Sequence, residues 1–404
     1  MRVASGAPLG RARAPGSIPD VIRFLTAGES HGPGLTAIIE GVPAGLGFDV
    51  GGLSDELARR RLGFGRSPRM GIENDNIEIL GGVRHGRTLG SPVAVLIRNT
   101  EHEMKWAEEM AAASGEPKRR MTTPRPGHAD LAGMLKYDTH DARDILERAS
   151  ARETAARAVV GHLSKLILGE VDVSILSHVV EIGQVKAPES LPPGPDDLSL
   201  IDSSPVRCLD PAAAAQMESE IRTARESGDT LGGVVEIVAV GVPPGLGSHV
   251  HWDRKIDGRL AHALMSVPAI KGVEIGDAFT NARARGSVAH DEIFHDGRGF
   301  ARVTNRGGGT EGGMTVGGIL RVRAAMKPIS TVRKSLDSVD VDTKEPTKAF
   351  FERSDTCAVP RAGVVCEHMV AFVLADEALR MFGGDTVDDF VAAWRRYGER
   401  VTAF

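Results

Sequence analysis

The distribution of apolar residues along the chain predicts alternating strands and helices. Short apolar runs have the length of buried strands; they lie at residues 35–42, 77–80, 93–97, 234–240 and 321–326. Amphipathic or alanine-rich stretches predict helices at 54–62, 145–168, 254–266 and 363–381, with Ser54 as the cap of the first. A polar, turn-rich stretch at 187–205 predicts a surface excursion, and Gly383-Gly384 predicts the end of the last helix.

A short internal repeat changes this picture. Residues 41–47 read GVPAGLG and residues 241–247 read GVPPGLG, so six of seven positions match at an offset of 200. Each copy follows a predicted strand and precedes a predicted helix. A chance match between two Gly/Pro-rich loops is the alternative. We favour a duplicated strand–turn–helix unit, which implies a core with approximate two-fold symmetry.

Composition narrows the class of protein. The chain has 404 residues, of which 41% are apolar and 25% charged, as in soluble globular proteins. A net charge of −5 and an aromatic content of 4% argue against a nucleic-acid partner. No apolar run reaches the roughly 18 residues of a membrane helix. Three cysteines without a CxxC pair favour a reducing, cytoplasmic location.

The chain shows no linker that demands a domain boundary, so we predict a single domain over residues 23–404. Residues 1–22 are rich in Arg, Ala, Gly and Pro and lack the apolar stretch of a secretory signal. We interpret them as a disordered N-terminal extension, or as the product of a misplaced start codon.

Two histidines lie in tight Gly/Pro loops: His31 in GESHGPG and His128 in RPGHADLAG. Histidine is the usual proton-transfer residue near neutral pH, and flanking glycines allow a ligand to approach it closely. The alternative, that each only satisfies a loop hydrogen bond, stays open. Ser30, Arg125 and Asp130 beside these histidines favour a chemical role.

Arginine clusters are the second candidate for chemistry. They comprise Arg59, Arg60 and Arg61 with Arg66 and Arg69, then Arg84 and Arg87, then Arg148 and Arg152. Converging arginines would hold a phosphate and carboxylates, whereas solvated surface charge is the alternative. In a helix beginning with ERASARETAAR, Arg148 and Arg152 would share one face with Ser150 between them.

A glycine-rich loop and two histidine pairs are further candidates. The loop RGGGTEGG at 306–313 has backbone amides that can cradle phosphate, but it lacks the Walker pattern. The pairs His290/His295 and His249/His251 lack metal-ligand spacing. We therefore predict no metal site.

Six segments, taken in order between residues 23 and 385, resemble the motifs of the chorismate synthase family. They read RFLTAGESHG, RPGHADLAGMLKY, ERASARETAAR, AIKGVEIGDAF, KPISTVRKSLDSVD and RSDTCAVPRAGVV. The resemblance implies an α+β fold, a single-domain β–α–β sandwich with helices between β-sheets, assembled as a homotetramer. It also implies a 1,4-anti elimination of phosphate from 5-enolpyruvylshikimate 3-phosphate, giving chorismate at the end of the shikimate pathway. That reaction needs reduced FMN, although it involves no net redox change.

The resemblance also assigns roles to residues. His31 would protonate the departing phosphate, His128 would protonate or polarise the reduced flavin, and Asp355 would assist proton removal at flavin N5. Arg60 and Arg66 match positions that contact substrate phosphate or NADPH. The positions that match FMN contacts are Arg148, Ala149, Ser150, Pro268, Ala269, Gly312, Lys327, Pro328, Ile329, Ser330, Thr331 and Arg353.

One departure from the family pattern opens a rival interpretation. Val316-Gly317-Gly318 stands where the family commonly has Asn-Gly-Gln or Asn-Gly-Glu, a change expected to weaken cofactor or substrate binding. A flavin- or phosphate-binding protein without catalysis is therefore one alternative. A phosphatase or phosphotransferase without flavin is another, and an arginine-based nucleic-acid module a third. The source of electrons stays open between NADPH and a separate flavin reductase; the lack of a recognisable reductase domain favours the reductase.

Overall fold

A computed structural model describes residues 21–65, 75–118, 120–189, 192–295, 297, 299–352 and 354–404. The strands are β1 (Arg23–Ala27), β2 (Gly34–Glu40), β3 (Asn76–Gly81), β4 (Val83–Arg84), β5 (Arg87–Thr88), β6 (Val93–Arg98), β7 (Ser174–Ile182), β8 (Val185–Lys186), β9 (Gly233–Val240), β10 (Pro244–Gly247), β11 (Ile270–Ile275), β12 (Ile293–His295), β13 (Phe300–Arg302), β14 (Thr310–Glu311), β15 (Met314–Val316), β16 (Leu320–Met326), β17 (Asp337–Val339) and β18 (Pro346–Lys348). The helices are α1 (Val50–Arg59), α2 (Asp130–Tyr137), α3 (Arg143–Ala149), α4 (Thr154–Gly169), α5 (Leu198–Ser203), α6 (Pro211–Glu226), α7 (Ile256–Met265), α8 (Ala278–Asn281), α9 (Gly286–Ala289), α10 (Val359–Phe382) and α11 (Val387–Thr402).

Two antiparallel sheets enclose a layer of helices. One sheet has the strand order β1-β2-β6-β3 and the other β11-β16-β9-β7-β8. Helices α4 and α10 pack against each other between them, α4 facing β1 and β2 and α10 facing β7 and β9. Helix α10 is buried over most of its length, which its apolar sequence permits on all sides. The α+β sandwich predicted from the sequence is confirmed.

The repeat seen in the sequence is a repeat of structure. The order β1-β2-β6-β3 in the first half matches β7-β9-β16-β11 in the second. GVPAGLG joins β2 to α1, and GVPPGLG joins β9 to α7. Gly41 and Gly241 both have φ +84°, and a Cβ on either would lie within 2.4 Å of a backbone carbonyl oxygen. Glycine is therefore required at the start of both loops.

Two predicted helix boundaries were wrong. Helix α1 begins at Val50 rather than Ser54, because the Asp49 carboxylate accepts the Gly52 N–H at 2.9 Å and caps the helix there. The helix predicted at 145–168 is interrupted at Ser150, whose φ of −67° and ψ of 145° are extended. It forms α3, a 3₁₀ turn and α4 instead.

Both ends of the chain and the segment 187–205, predicted as a surface excursion, also differ from the predictions made from the sequence. Val21 and Ile22 belong to the fold, since their N–H groups donate to Oδ1 of Asp376 at 2.6 and 2.8 Å. The rest of the predicted extension, residues 1–20, lies outside the described residues. The described part of 187–205 contains a 3₁₀ turn and α5, and α11 continues the chain beyond Gly384. Within the described ranges, each helix is too short or too polar to cross a membrane.

Candidate active site

A cavity of about 530 Å³ lies where the two halves meet. It is lined by the connector from β6 to α4 (99–153) and by its topological equivalent from β16 to α10 (327–358). Residues just after α1 and α7, which are also equivalent, the loop between β1 and β2, and the first turns of α4 and α10 complete the wall. The sequence-predicted residues on its lining are His31, His128, Asp355, Arg60, Ala149, Ser150, Pro268, Ala269, Lys327, Pro328, Ile329, Ser330 and Thr331.

His31 is fixed by a carboxylate on α3. Its ring Nδ1 lies 2.8 Å from Oε1 of Glu147, and its backbone N–H donates to Oε2 at 2.9 Å. The ring also stacks on Trp106, with centroids 4.2 Å apart. Burial raises the pKa of Glu147, but hydrogen bonds and charge from His31 and Arg143 outweigh it, so the pKa lies below its usual value. The carboxylate therefore stays ionised beside the imidazole.

His128 has a similar partner at the start of α2. Its Nδ1 hydrogen-bonds the carboxylate of Asp130, which is fully buried. Arg125 donates to the same carboxylate from Nε at 2.8 Å. Burial raises the pKa of Asp130, yet the hydrogen bonds from His128 and Arg125 lower it to about 2 overall. In both histidines Nδ1 contacts a carboxylate, so Nε2 is the ring nitrogen available to a ligand.

The lining has an excess of positive charge. Its charged residues other than histidine are Arg60, Arg125, Arg152, Lys327, Arg361, Glu352 and Asp355. Arg361 pairs with Asp355 at 2.5 Å, while its buried Nη2 has no hydrogen-bond partner among the described residues. Burial, with the neighbouring Lys271, lowers the pKa of Lys327. Five cations against two carboxylates suit a ligand that carries phosphate and carboxylate groups.

The break at Ser150 separates the two arginines that the sequence placed on one helix face. Arg148 donates to the carbonyl oxygens of Thr26 and Gly28 at 2.8 and 2.9 Å. Arg152 turns the other way and donates to Asp75 at 2.6 Å. The predicted shared face is wrong, because an extended residue between them rotates the chain. Arg152 lines the cavity, whereas Arg148 braces the loop that carries His31.

The same break builds part of the cavity wall. The Ser150 hydroxyl accepts the Arg152 N–H at 3.3 Å and donates to the Ser30 hydroxyl at 3.2 Å. The Ser30 N–H in turn donates to the Glu147 carbonyl at 3.0 Å. These contacts join the α3 end to the His31 loop. Opposite them, Ala269 has a φ of +68°, unusual for a residue with a Cβ, and its carbonyl accepts the Lys327 N–H at 3.0 Å.

Some predicted positions are not brought to this cavity. Gly312 lies in the turn between β14 and β15, and Gly317 lies beside Pro244 in the second repeat loop. The Val316-Gly317-Gly318 departure therefore sits on a hairpin outside the cavity lining of this chain. Arg66 and Arg353 lie outside the described residues.

The sequence did not reveal Glu147, Trp106, Glu352 or Arg361 as site residues. Trp106 lies on a single π-helical turn, His102–Trp106, a feature often found near functional sites. Glu147 and His31 are 116 residues apart, so no local spacing connects them. Throughout the part of the chain that is described, no three His, Cys, Asp or Glu side chains converge in a way that could hold a metal ion.

Comparisons with known proteins agree on one family. The chorismate synthase family model matches residues 22–379. The chorismate synthase of Acidothermus cellulolyticus is 58% identical over 376 residues, covering 91% of this chain and 96% of that protein. That of Salinispora tropica is 57% identical with the same coverage. A solved structure described as "Crystal Structure of Chorismate Synthase" has a TM-score of 0.76 and 42% identity, covering 95% of this chain and 99% of that one. The chain belongs to the chorismate synthase family, carbon–oxygen lyases of the shikimate pathway.

Proposed function

We propose that this chain removes phosphate from 5-enolpyruvylshikimate 3-phosphate by 1,4-anti elimination, giving chorismate, with reduced FMN bound in the same cavity. The observation that carries the proposal is a pair of histidines, each held at Nδ1 by a buried carboxylate, in a cavity with net positive charge. Such a cavity offers positioned proton transfer and electrostatic stabilisation of a leaving phosphate.

The cavity fits a flavin nucleotide together with a small anionic substrate. Its volume lies within the roughly 300–1,000 Å³ usual for small-molecule sites. Small side chains at Ala149, Ser150 and Ala269 leave room for a flat ring system, and Nη2 of Arg361 offers an unused donor. When bound, the reduced flavin would supply electron density for the elimination and an acceptor for the substrate proton. The cavity residues that would hold it are Ala149, Ser150, Pro268, Ala269, Lys327, Pro328, Ile329, Ser330 and Thr331. Arg148 would act through the His31 loop, which it contacts. Arg353 and Gly312 are carried over from the family pattern alone, and Gly312 lies on the β14–β15 hairpin outside this cavity.

Different side chains of this protein transfer protons and bind the charged groups of the ligands. His31 gives a proton to the departing phosphate oxygen. His128, with Asp130 behind it, holds a proton against the anionic cofactor. Asp355 assists the removal of the substrate proton, and its ion pair with Arg361 holds the carboxylate in place. Arg60, with Arg66, binds the substrate phosphate or NADPH.

Assembly, location and electron supply are part of the same proposal. We propose a single domain over residues 23–404, to which Val21 and Ile22 are joined, supported by one hydrophobic core cluster that reaches from Ile22 to Phe390. Exposed Phe279, Ile293 and Phe300 support burial in a homotetramer. Three free, buried cysteines support a reducing, cytoplasmic setting. A separate flavin reductase supplies the reduced FMN; direct reduction by NADPH bound to this chain is the alternative.

The proposal is tested anaerobically. Purified protein is mixed with 5-enolpyruvylshikimate 3-phosphate and dithionite-reduced FMN, and chorismate absorbance and phosphate release are followed in parallel. We expect equal amounts of chorismate and phosphate with reduced FMN and neither with oxidised FMN. Phosphate without chorismate would indicate a phosphatase. Tight flavin binding without either product would indicate a binding protein that has lost catalysis.

A further inference from the structure

His31 sits inside a closed group of four side chains, which we call the histidine frame: His31, Glu147, Arg143 and Trp106. Glu147 contacts His31 through both carboxylate oxygens. Arg143 donates to Oε1 of Glu147 at 2.7 Å and lies over the Trp106 ring, 4.9 Å from its centroid. Trp106 stacks on the His31 imidazole at an interplanar angle of 29°. Each member therefore contacts two others.

The carboxylate determines which ring nitrogen of His31 carries hydrogen. An ionised carboxylate can only accept, so Nδ1 at 2.8 Å from Oε1 must donate. The second oxygen accepts the His31 backbone N–H, which stops the carboxylate from turning away. Glu147 is itself almost fully buried and does not line the cavity, whereas His31 does. Nε2 is the ring nitrogen left for a ligand.

Arg143 links the histidine frame to a second carboxylate, Glu352. Arg143 is shared between Glu147 and Glu352, which lies 2.8 Å from Nη2. One cation, Arg143, thus faces two carboxylates beside the His31 ring. Stacking on Trp106 adds a favourable contact for a cationic ring.

We propose that Glu147 is a positioning residue for phosphate departure: its carboxylate keeps hydrogen on Nδ1 of His31, leaves Nε2 for the cavity and balances the imidazolium charge. The inference rests on the proposed role of His31 in the reaction. In that step the Nε2–H bond breaks, the proton passes to the leaving phosphate oxygen, and Nε2 keeps the electron pair. Glu147 touches neither substrate nor cofactor.

The test compares Glu147→Gln with a matched control. Glu236 is also a buried carboxylate between a histidine and an arginine, 3.2 Å from Nε2 of His178 and 2.7 Å from Nε of Arg323, but it does not line the cavity. We expect Glu147→Gln to lower kcat on the order of 10²-fold with KM changed less than about 3-fold. Glu236→Gln should leave kcat within about 3-fold of wild type. Equal losses in both variants would overturn the proposal.

A double-mutant cycle separates action through His31 from a general structural effect. In a His31→Ala background, Glu147→Gln should lower the residual turnover by less than about 3-fold, because the group it positions is gone. Full additivity of the two losses would show that Glu147 acts independently of His31, which contradicts the inference.

A spectroscopic readout keeps this inference distinct from the proposed function. In ligand-free protein labelled with ¹⁵N-histidine, we expect His31, assigned by its loss in His31→Ala, to carry hydrogen on Nδ1. In Glu147→Leu no acceptor faces Nδ1, so this variant should lose the Nδ1–H preference and shift His31 toward the Nε2–H tautomer. An unchanged tautomer overturns the inference even if the wild type makes chorismate; a wild type that makes none counts against the proposed function alone. If Glu147→Gln or Glu147→Leu does not fold, Glu147→Asp is used: retention of Nδ1–H with partial activity supports the inference, and its loss overturns it.

Discussion

Thr88 and Thr315 occupy equivalent positions in the two halves of the molecule. Each hydroxyl donates to a proline carbonyl in the repeated loop, Pro43 and Pro243 respectively, at 2.6 Å in both cases. Each accepts a leucine N–H from the same loop, Leu46 at 3.0 Å and Leu246 at 2.9 Å. The duplicated loops therefore share a hydrogen-bonding partner as well as a sequence.

Replacing either threonine by valine should destabilise the protein by about 2 kcal/mol, because a buried N–H and a buried carbonyl both lose their partner. Urea unfolding of Thr88→Val and Thr315→Val measures this, and the two losses should be similar. Thr223→Val on the exposed face of α6 is the control and should change stability by less than about 0.5 kcal/mol. Very different losses at the two sites would mean that the loops are not equivalent in energy.

Helices α4 and α10 approach closely at Gly161. A Cβ there would lie 2.2 Å from Cβ of His368, which is fully buried and cannot move aside. Gly161→Ala should therefore cost about 3 kcal/mol or prevent folding. Gly169→Ala at the end of the same helix meets no atom within 4 Å and should be neutral or stabilising by up to about 1 kcal/mol. Thermal unfolding of the two variants decides; equal stability would refute the close contact.

His162 should make the fold sensitive to mild acid. Burial, the largest effect, lowers its pKa from 6.5 to about 4, so the folded state holds it neutral. Its contribution is fully present above pH 6.5, where the unfolded state is also neutral, and is lost progressively as the pH falls from 6.5 to about 4. The loss amounts to about 3 kcal/mol. The measurement is the free energy of unfolding at pH 7 and at pH 4. The decrease in this free energy between the two pH values should be smaller in His162→Phe than in the wild type, and unchanged in the exposed control His249→Gln. An unchanged loss in His162→Phe would remove His162 as the cause.

His128→Ala should leave FMN binding largely intact but slow turnover by roughly 10²–10⁴-fold, the usual effect of removing a positioned acid or base. Asp130 and Arg125 remain paired in this variant, so the local fold is retained. Stopped-flow turnover with reduced FMN and a flavin-binding titration give the two quantities. His140→Ala, at an exposed position, is the control. Wild-type turnover in the His128 variant would exclude that histidine from the mechanism.

The sequence predicts the positions of the strands in this protein more accurately than the points at which its helices begin, end or are interrupted. The strand predicted at 93–97 spans Val93–Arg98 and that at 234–240 spans Gly233–Val240, because apolar runs between turn residues mark buried strands. The break at Ser150 carries no Gly or Pro signal; it depends on Ser30, which is 120 residues away. Glu147 escapes prediction for the same reason. Local pattern does not encode contacts between distant segments.

Helix α11 is absent from the predicted elements although its signals are local. Thr386 caps it by accepting the Asp389 N–H at 3.2 Å, and apolar residues from Val387 to Trp394 recur at helical spacing. Gly383-Gly384 before it indicates the end of a helix, and this signal leads to the prediction that α10 is the last helix of the chain. Gly312 is placed at the cavity by resemblance alone, and the fold of a single chain keeps it on a hairpin.

The two connectors that line the cavity occupy equivalent positions in the two repeated halves. The backbone therefore does not distinguish one side of the site from the other. The side chains do distinguish the two sides: the first half contributes both histidines, and the second contributes Asp355 and Lys327. A ligand in the cavity therefore meets imidazoles from the first half and a carboxylate and a lysine from the second. The chemical asymmetry of the site therefore lies in the side chains of the two halves and not in their backbones. Substitutions that gave both halves the same side chains at the cavity would remove that asymmetry while leaving the sheets and the central helices in place.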